Sequence, residues 1–416
     1  VLVAFGTAFV NLARGGPPDA EVGLTSLVFA LSWGGIYWAV RTFAREARTY
    51  PVLIAAALSA LGLIEIYRLD MRLASRQRWW FVIGAALTVA VLALLHRTGL
   101  SVLRRYRYLL LIVALGLLLL PLLPESGFPI SGRTVNGSRL WVAFGTDRFR
   151  VQFQPGEFAK LVLIIVLASL LGDRVPSVGT APRKLGRFSV PEPRQLVPVL
   201  IAWTVSFVAL VSQRDLGASL LLFSIFILML YAATGQGVFV WAGGALFVIG
   251  GVAATRLFSH VQSRVDAWIR PFDDPLGSGY QIVQGLFAMG SGSLTGSGFG
   301  LGRPDIIPFA ATDFIYAALA EELGLAGSVA ILSLFALLVA AGAGIALGAK
   351  DQFRKLLAAG IAFGFGVQAF LIIAGVVRVL PLTGITLPFM SYGGSSLLVN
   401  LLALTLLTRV SHEERS

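Results

Sequence analysis

Apolar stretches long enough to cross a bilayer recur along the whole 416-residue chain, and nothing else constrains its fold as strongly. A span needs about 20 predominantly apolar residues. In hydrocarbon every backbone N–H and C=O must be satisfied internally, which leaves helices or closed barrels. The stretches here are continuously apolar rather than alternating, so they read as helices facing lipid or other helices. Spans are expected at roughly 1–14, 22–40, 51–67, 79–95, 107–124, 156–172, 196–212, 216–233, 237–255, 316–346, 354–378 and 388–408, about twelve in all. Hydrophobic residues make up 56% of the chain and charged residues 13%, with a mean hydropathy of +0.82, which excludes an ordinary soluble domain. The fold class is therefore an all-α polytopic membrane protein.

Composition removes several chemistries. With no cysteine, disulfides, thiolate metal sites and a cysteine nucleophile are excluded. The three histidines, His96, His260 and His412, are scattered, which argues against a histidine metal site or a serine–histidine triad. The chain opens at Val1 rather than methionine, so a natural N-terminal piece is expected to be missing, and no cleavable signal peptide is visible.

Three connections are long. Residues 125–155 carry Arg133, Arg139, Trp141, Arg148 and Arg150; residues 173–195 are basic and Pro/Ser-rich and read as a flexible surface linker. Residues 256–312 form the longest, and their Trp268, Tyr280, Phe287 and spaced glycines argue for an ordered functional loop. Lys and Arg divide almost evenly between the two sides, so the positive-inside rule barely decides orientation. Most acids lie on the side of 125–155 and 256–312, which makes the 173–195 side cytoplasmic. An arginine-rich outer face suits an anionic ligand.

Four groups on that outer side carry the chemistry. NGSRLWVAFG at 136–145 is followed by FQPGEFAKL at 153–161, where Glu157 and Lys160 sit at i,i+3 on one helix face and can pair within the membrane; an ion pair orienting two helices is the structural alternative. Asp215 lies just before a span, where helix capping competes with catalysis. The loop from Arg264 to Gly300 offers Arg264, Arg270, Gln281, Gln284 and glycine-turn amides suited to pyrophosphate and sugar hydroxyls. LPLTGITLPFMSYGGSSL at 380–397, with Ser391, Ser395 and Ser396, is Pro/Gly-broken, and such backbone is tolerated only in protein or lining a cavity. Asp313 ends the glycine-rich loop where a helix begins, a costly place for a carboxylate, although Thr312–Asp313 also reads as an N-cap. The helix from Asp313 to about residue 346 would run about 50 Å, too long for one untilted span. Gly324 and Gly327 are expected to break it, leaving Glu321 and Glu322 to cap, pair or tune Asp313.

These residues resemble the SEDS family (shape, elongation, division and sporulation). The pattern appears as NGSRLW (136–141), FQPGEFAK (153–160), QRDLG (213–217), DPLGSGYQIVQ (274–284), GSGSLTGSGFG (290–300), PFAATDFIYAALAEELG (308–324) and PLTGITLPFMSYGGSSL (381–397), in the family's order. The resemblance implies a ten-span glycosyltransferase core over 51–410, with 256–312 as a large extracytoplasmic loop. Two accessory helices before residue 50 and a cytoplasmic tail at 411–416 complete the layout. It implies a peptidoglycan polymerase of the bacterial cytoplasmic membrane, active on the extracytoplasmic side. Lipid II would be its substrate and a class B penicillin-binding protein its cross-linking partner. The family's essential aspartate falls on Asp313, and its paired Glu and Lys on Glu157 and Lys160. Ala311 stands where the family usually has histidine, Phe309 for glutamate, Arg214 for proline, Gly156 for serine, and Ile372 near a lost asparagine. With the two extra N-terminal spans, these departures look most like RodA-type members from actinobacteria and relatives.

The mechanism so implied has Asp313 as base on a sugar hydroxyl. Arg139, Arg264, Arg270 and Lys160 are available to the leaving pyrophosphate, and Trp141, Gln154, Glu157, Asp215, Gln281, Gln284, Ser391, Ser395 and Ser396 are the further substrate-binding candidates. A divalent cation such as Mg2+ or Mn2+ could assist, resting on carboxylates and phosphate oxygens. No organic cofactor and no nucleic-acid partner are expected; membrane lipid is. The competing class is a lipid flippase or transporter, because broken helices and intramembrane charges also typify transporters; no inverted repeat between the halves supports it. A scaffold for the transpeptidase is the third possibility.

Overall fold

Helices dominate because the apolar runs satisfy their backbone internally. The computed structural model describes residues 1–17, 19–124, 130–135, 138–146, 149–178, 183–185, 188–190, 193–213 and 215–415. In chain order it contains α1 (Leu2–Ala13), α2 (Ala20–Phe43), α3 (Tyr50–Leu69), α4 (Met71–Thr98), α5 (Ser101–Arg105), α6 (Arg107–Leu119), β1 (Ile130–Val135), β2 (Ser138–Thr146), β3 (Phe149–Phe153), α7 (Pro155–Val178), β4 (Arg183–Leu185), β5 (Phe188–Val190), α8 (Pro193–Ser212), α9 (Leu216–Thr234), α10 (Val238–Leu257), α11 (Ser259–Ile269), α12 (Tyr280–Gly292), α13 (Ile315–Gly348), α14 (Gln352–Val376) and α15 (Gly394–Glu413). Each expected span has its helix. Among the described residues nine helices are long and apolar enough to cross a membrane, and α1 and the 107–122 segment are shorter apolar helices. This is a multi-pass membrane protein. α14 packs among α13, α7 and α9, and α15 among α4, α7 and α14. α10 packs against α9 and α11 but leaves most of its surface exposed.

Three expectations change. The connection 125–155 is not simply a loop: β1, β2 and β3 form an antiparallel sheet, with Arg133 opposite Trp141 and Val142 opposite Phe153. Part of the segment read as a flexible linker is ordered, because α7 runs on to Val178 and β4 pairs antiparallel with β5. The last span begins at Gly394, not near 388, because residues 380–393 stay irregular inside the bundle. Asn136, Gly137, Arg148 and Arg214, and the side chain of Arg150, lie outside the described residues.

Glycines make room for that irregular segment. A Cβ at Gly62 of α3 would collide with the backbone of Met390, one at Gly217 of α9 would meet Thr383 O at 2.5 Å, and one at Gly394 would run into the Trp80 ring. The long helix α13 breaks at Gly324, with φ 67° and ψ −166°. That conformation is steric strain for residues with a Cβ. Gly327 is not a break point. The groups freed at Gly324 find partners in the glycine-rich loop: Ser297 N–H donates to Glu321 O (3.0 Å), Gly298 N–H to Glu322 O (2.9 Å), and Leu325 N–H to Ser293 O (2.9 Å). Such satisfaction is what permits a broken helix at membrane depth.

Gly62→Ala separates propensity from packing. Alanine favours a helix by about 1 kcal/mol over glycine, yet forcing a methyl against the Met390 backbone should destabilise by roughly 1–3 kcal/mol. Thermal unfolding of the two purified proteins in detergent checks the sign; a raised midpoint would refute the packing account.

Candidate functional site

Asp313 lies in a turn held from several sides. Ser391 Oγ donates to Thr312 O (2.6 Å) while accepting from Leu387 N–H (2.9 Å), and Tyr392 N–H donates to Ala311 O (2.8 Å). On the other flank Gln281 Nε2 of α12 donates to Pro308 O (3.1 Å). Directly after the acid, Phe314 is fully buried against Gly285 of α12, where a Cβ would come within 2.6 Å of its ring. α13 starts at Ile315 with Phe314 at the N-cap and no side-chain cap. The capping explanation of Asp313 therefore fails, and its carboxylate is left facing a cavity.

That cavity holds about 200 Å³ and is lined by Ser263, Arg264, Ser278, Gln281, Asp313 and Gly384, with apolar walls from Ala267, Ile282, Phe314 and Leu382. Arg264 comes from α11 and is fixed by donating Nη1 to Leu382 O and Thr383 O, each at 3.2 Å. α11 is clasped to the turn after α14: Trp268 Nε1 donates to Arg378 O (3.1 Å), and Arg378 Nε to Trp268 O (2.7 Å). Gly384, at φ 71°, leaves its open side between the two charges. A Cβ there would lie 3.6 Å from Arg264 Nη2 and 3.9 Å from Asp313 Oδ2. Burial pushes the Asp313 carboxyl up to about 6, against the opposing pull of Thr312 and Arg264.

A second polar site lies deeper, within the helices. Lys160 Nζ pairs with Glu157 at 3.0 Å to Oε1 and 2.9 Å to Oε2, both residues buried. Beside them is a space of about 30 Å³ that Gln368 and Asn400 also line. Asp215 caps α9, accepting from Ala218 N–H at 2.8 Å, as the capping alternative held. Burial raises its carboxyl above the usual range, offset by that N–H and by Lys160 and Arg264. Asp215 thus feels both the Lys160 pair and Arg264, and residues 383–385 pack against the start of its helix.

The other sequence candidates are placed differently. Ser391, Ser395 and Ser396 are buried and spent internally: Ser395 Oγ accepts from Gln154 N–H (3.0 Å), and Ser396 Oγ from Thr386 Oγ1 (2.7 Å) and Asn400 Nδ2 (3.2 Å). They hold the irregular segment and do not line the Asp313 cavity. Arg139 is exposed on β2, its N–H donating to Gln213 O (3.3 Å), and Trp141 is half-buried in the same strand. Arg270 is exposed at the end of α11, and Gln284 half-buried on α12; neither lines the cavity. Glu321 and Glu322 do not tune Asp313: Glu321 Oε1 accepts from Arg303 N–H (2.8 Å), and Glu322 pairs with Arg68 (3.1 Å). Sequence reading missed Ser263, Ser278 and Gly384 at one site and Gln368 and Asn400 at the other. Lone amides inside apolar spans could have flagged the last two. Among the described residues no three His, Asp or Glu side chains converge as metal ligands, so a divalent ion at Asp313 would depend on oxygens of a bound phosphate.

Residues 38–416 match the family model for the FtsW/RodA/SpoVE cell cycle proteins. This chain belongs to that family. It is 39% identical to the peptidoglycan glycosyltransferase RodA of Mycobacterium tuberculosis over 97% of this chain and 86% of that protein. It is 36% identical to the stage V sporulation protein E of Bacillus subtilis over 75% and 80%. Among solved structures it resembles a chain from work on the structural coordination of polymerization and crosslinking by a peptidoglycan synthase complex, with a TM-score of 0.70, 28% identity and coverage of 88% and 98%. The rod shape determining protein RodA of Thermus thermophilus superimposes with a TM-score of 0.62 at 26% identity, covering 89% of this chain and 97% of that one.

The buried pair gives a test specific to this FtsW/RodA/SpoVE chain. Glu157→Gln strands the Lys160 charge and should destabilise by about 3–5 kcal/mol, whereas replacing both residues with leucine and methionine should recover most of that loss. Thermal midpoints in detergent separate these outcomes.

Proposed function

We infer that this chain is a peptidoglycan glycosyltransferase, polymerising lipid II into glycan strands from the extracytoplasmic side of the bacterial cytoplasmic membrane. The observation that carries the reading is Asp313 itself: a half-buried acid, free of any capping role, facing a half-open cavity of mixed polar and apolar walls with one fixed arginine beside it. The 39% identity to a named peptidoglycan glycosyltransferase supports the reaction class.

In the reaction the 4-hydroxyl of GlcNAc on one lipid-linked disaccharide attacks C1 of MurNAc on another. The new C–O bond forms as the bond to undecaprenyl pyrophosphate breaks, and the hydroxyl proton passes to the Asp313 carboxylate. A base within hydrogen-bond reach typically contributes about 10² to 10⁴ in rate. Arg264, held by two carbonyls, is a preset positive charge for the pyrophosphate. The cavity is smaller than the roughly 300–1,000 Å³ usual for drug-sized ligands, so it suits the reacting sugar rather than two whole substrates. Mg2+ or Mn2+, where bound, would rest chiefly on phosphate oxygens of the substrate and add charge stabilisation there. We further propose a class B penicillin-binding protein as the cross-linking partner.

Purified protein with its transpeptidase partner, given labelled lipid II in detergent with Mg2+ or Mn2+, should yield glycan polymer, and Asp313→Asn should yield none. No polymer under any of these conditions would remove the enzyme reading and return the flippase to the front, since detergent abolishes sidedness. The pH dependence follows from the raised carboxyl. Only the ionised form accepts the proton, so the rate should fall about tenfold per pH unit below about 6 and stay level above it. A polymerisation profile flat down to pH 5 would contradict Asp313 as base.

A further inference from the structure

Glu65 sits in α3 and is wholly buried, and among the described residues neither of its carboxylate oxygens has a hydrogen-bond partner. A charged, unpaired carboxylate within hydrocarbon is among the costliest things a fold can retain. Glu322 Oε2 on α13 is likewise buried with no hydrogen-bond partner among the described residues, and Glu65 shares a helix face at i,i+3 with Arg68, whose guanidinium bonds Glu322.

The charges around them are few. Arg68, one turn along α3, donates Nε to Glu322 Oε1 (3.1 Å) and Nη2 to Gly302 O (2.8 Å). Glu321 is the third acid nearby and takes the Arg303 N–H; the Arg303 guanidinium itself is exposed, next to Asp305. From α1, Asn11 accepts from the Tyr67 hydroxyl (3.1 Å), and Arg14 donates to Arg68 O (2.6 Å). Arg68, half-buried, is thus the one guanidinium among the described residues bonded within this group of carboxyls, and it serves more of them than it can neutralise.

We propose that Glu65 is a positioning residue: it carries a proton and donates it in a hydrogen bond to Glu322 Oε2. One bond then satisfies Glu322 Oε2 and removes the surplus charge, leaving Arg68 matched with Glu322 alone. The consequence reaches the site, and here the proposal rests on Asp313 being the catalytic base. Glu322 holds Arg68, Arg68 holds Gly302, and the carbonyls of Glu321 and Glu322 hold Ser297 and Gly298. The neutral acid thus locks the glycine-rich loop to the half-helix that begins two residues after Asp313.

Substitutions at Glu65 separate a hydrogen-bond donor from mere filler. E65Q keeps a donor of the same shape and should leave polymerisation of labelled lipid II close to that of the unsubstituted protein. E65A and the volume-preserving E65L orphan Glu322 Oε2 and should lower kcat about tenfold or more, with KM little changed. Difference infrared spectroscopy of the purified protein against E65Q should show the carbonyl band of a protonated carboxylic acid. The band should persist in the inactive D313N variant, so this measurement stands even if the polymerase reading falls. Absence of the band, or E65Q as impaired as E65L, would overturn the proposal.

Discussion

Irregular backbone inside a bilayer must find every hydrogen-bond partner within the protein, and the whole site is organised around that requirement. Two segments break the helical order, the glycine-rich loop before Asp313 and the stretch from Leu380 to Gly393. Each is satisfied largely by helices and by the turn that carries the acid: Ser391 and Tyr392 bond the carbonyls of Thr312 and Ala311, and the loop at 293–298 takes up the groups freed by the break at Gly324. The glycines at 62, 217 and 394 are the steric counterpart, since a side chain at any of them would occupy the path of the irregular chain. The placement of Asp313 is a by-product of solving a solvation problem.

The span layout was legible because a 20-residue apolar run has few other meanings in a chain of this composition. Asp313 stood out because a carboxylate where irregular backbone meets a span is costly to keep, and the Glu157–Lys160 pair because i,i+3 spacing fixes a shared helix face. What hid from the sequence was tertiary. The sheet at 130–153 is short and glycine-interrupted, so its alternation competes with a loop reading. The serines at 391, 395 and 396 looked like ligand groups, but the irregular backbone around them needed those hydroxyls first. Glu321 and Glu322 sit within ten residues of Asp313 in sequence, yet their helix face turns them toward Arg303 and Arg68.

Two polar centres emerge where the sequence suggested one. The shallow one holds Asp313 and Arg264; the deeper one holds Lys160 and Glu157, with Asp215 and residues 383–385 between them. Alanine at 311, where the family usually has histidine, leaves the carboxylate without a titrating imidazole in the adjoining turn. In the proposed reaction, proton transfer at this centre rests on one group, whose environment is set mainly by burial.

The reciprocal clasp between Trp268 and Arg378 has a further meaning for the arginine beside Asp313. Each residue donates to the other's carbonyl, so α11 cannot slide against the end of α14 without losing both bonds. In the proposed reaction Arg264, carried on that helix and tethered to two carbonyls, would meet an incoming anion already oriented, with its rotamer entropy lost during folding. Little reorganisation would then remain for bond breaking, since a pre-fixed charge stabilises developing charge better than a mobile one.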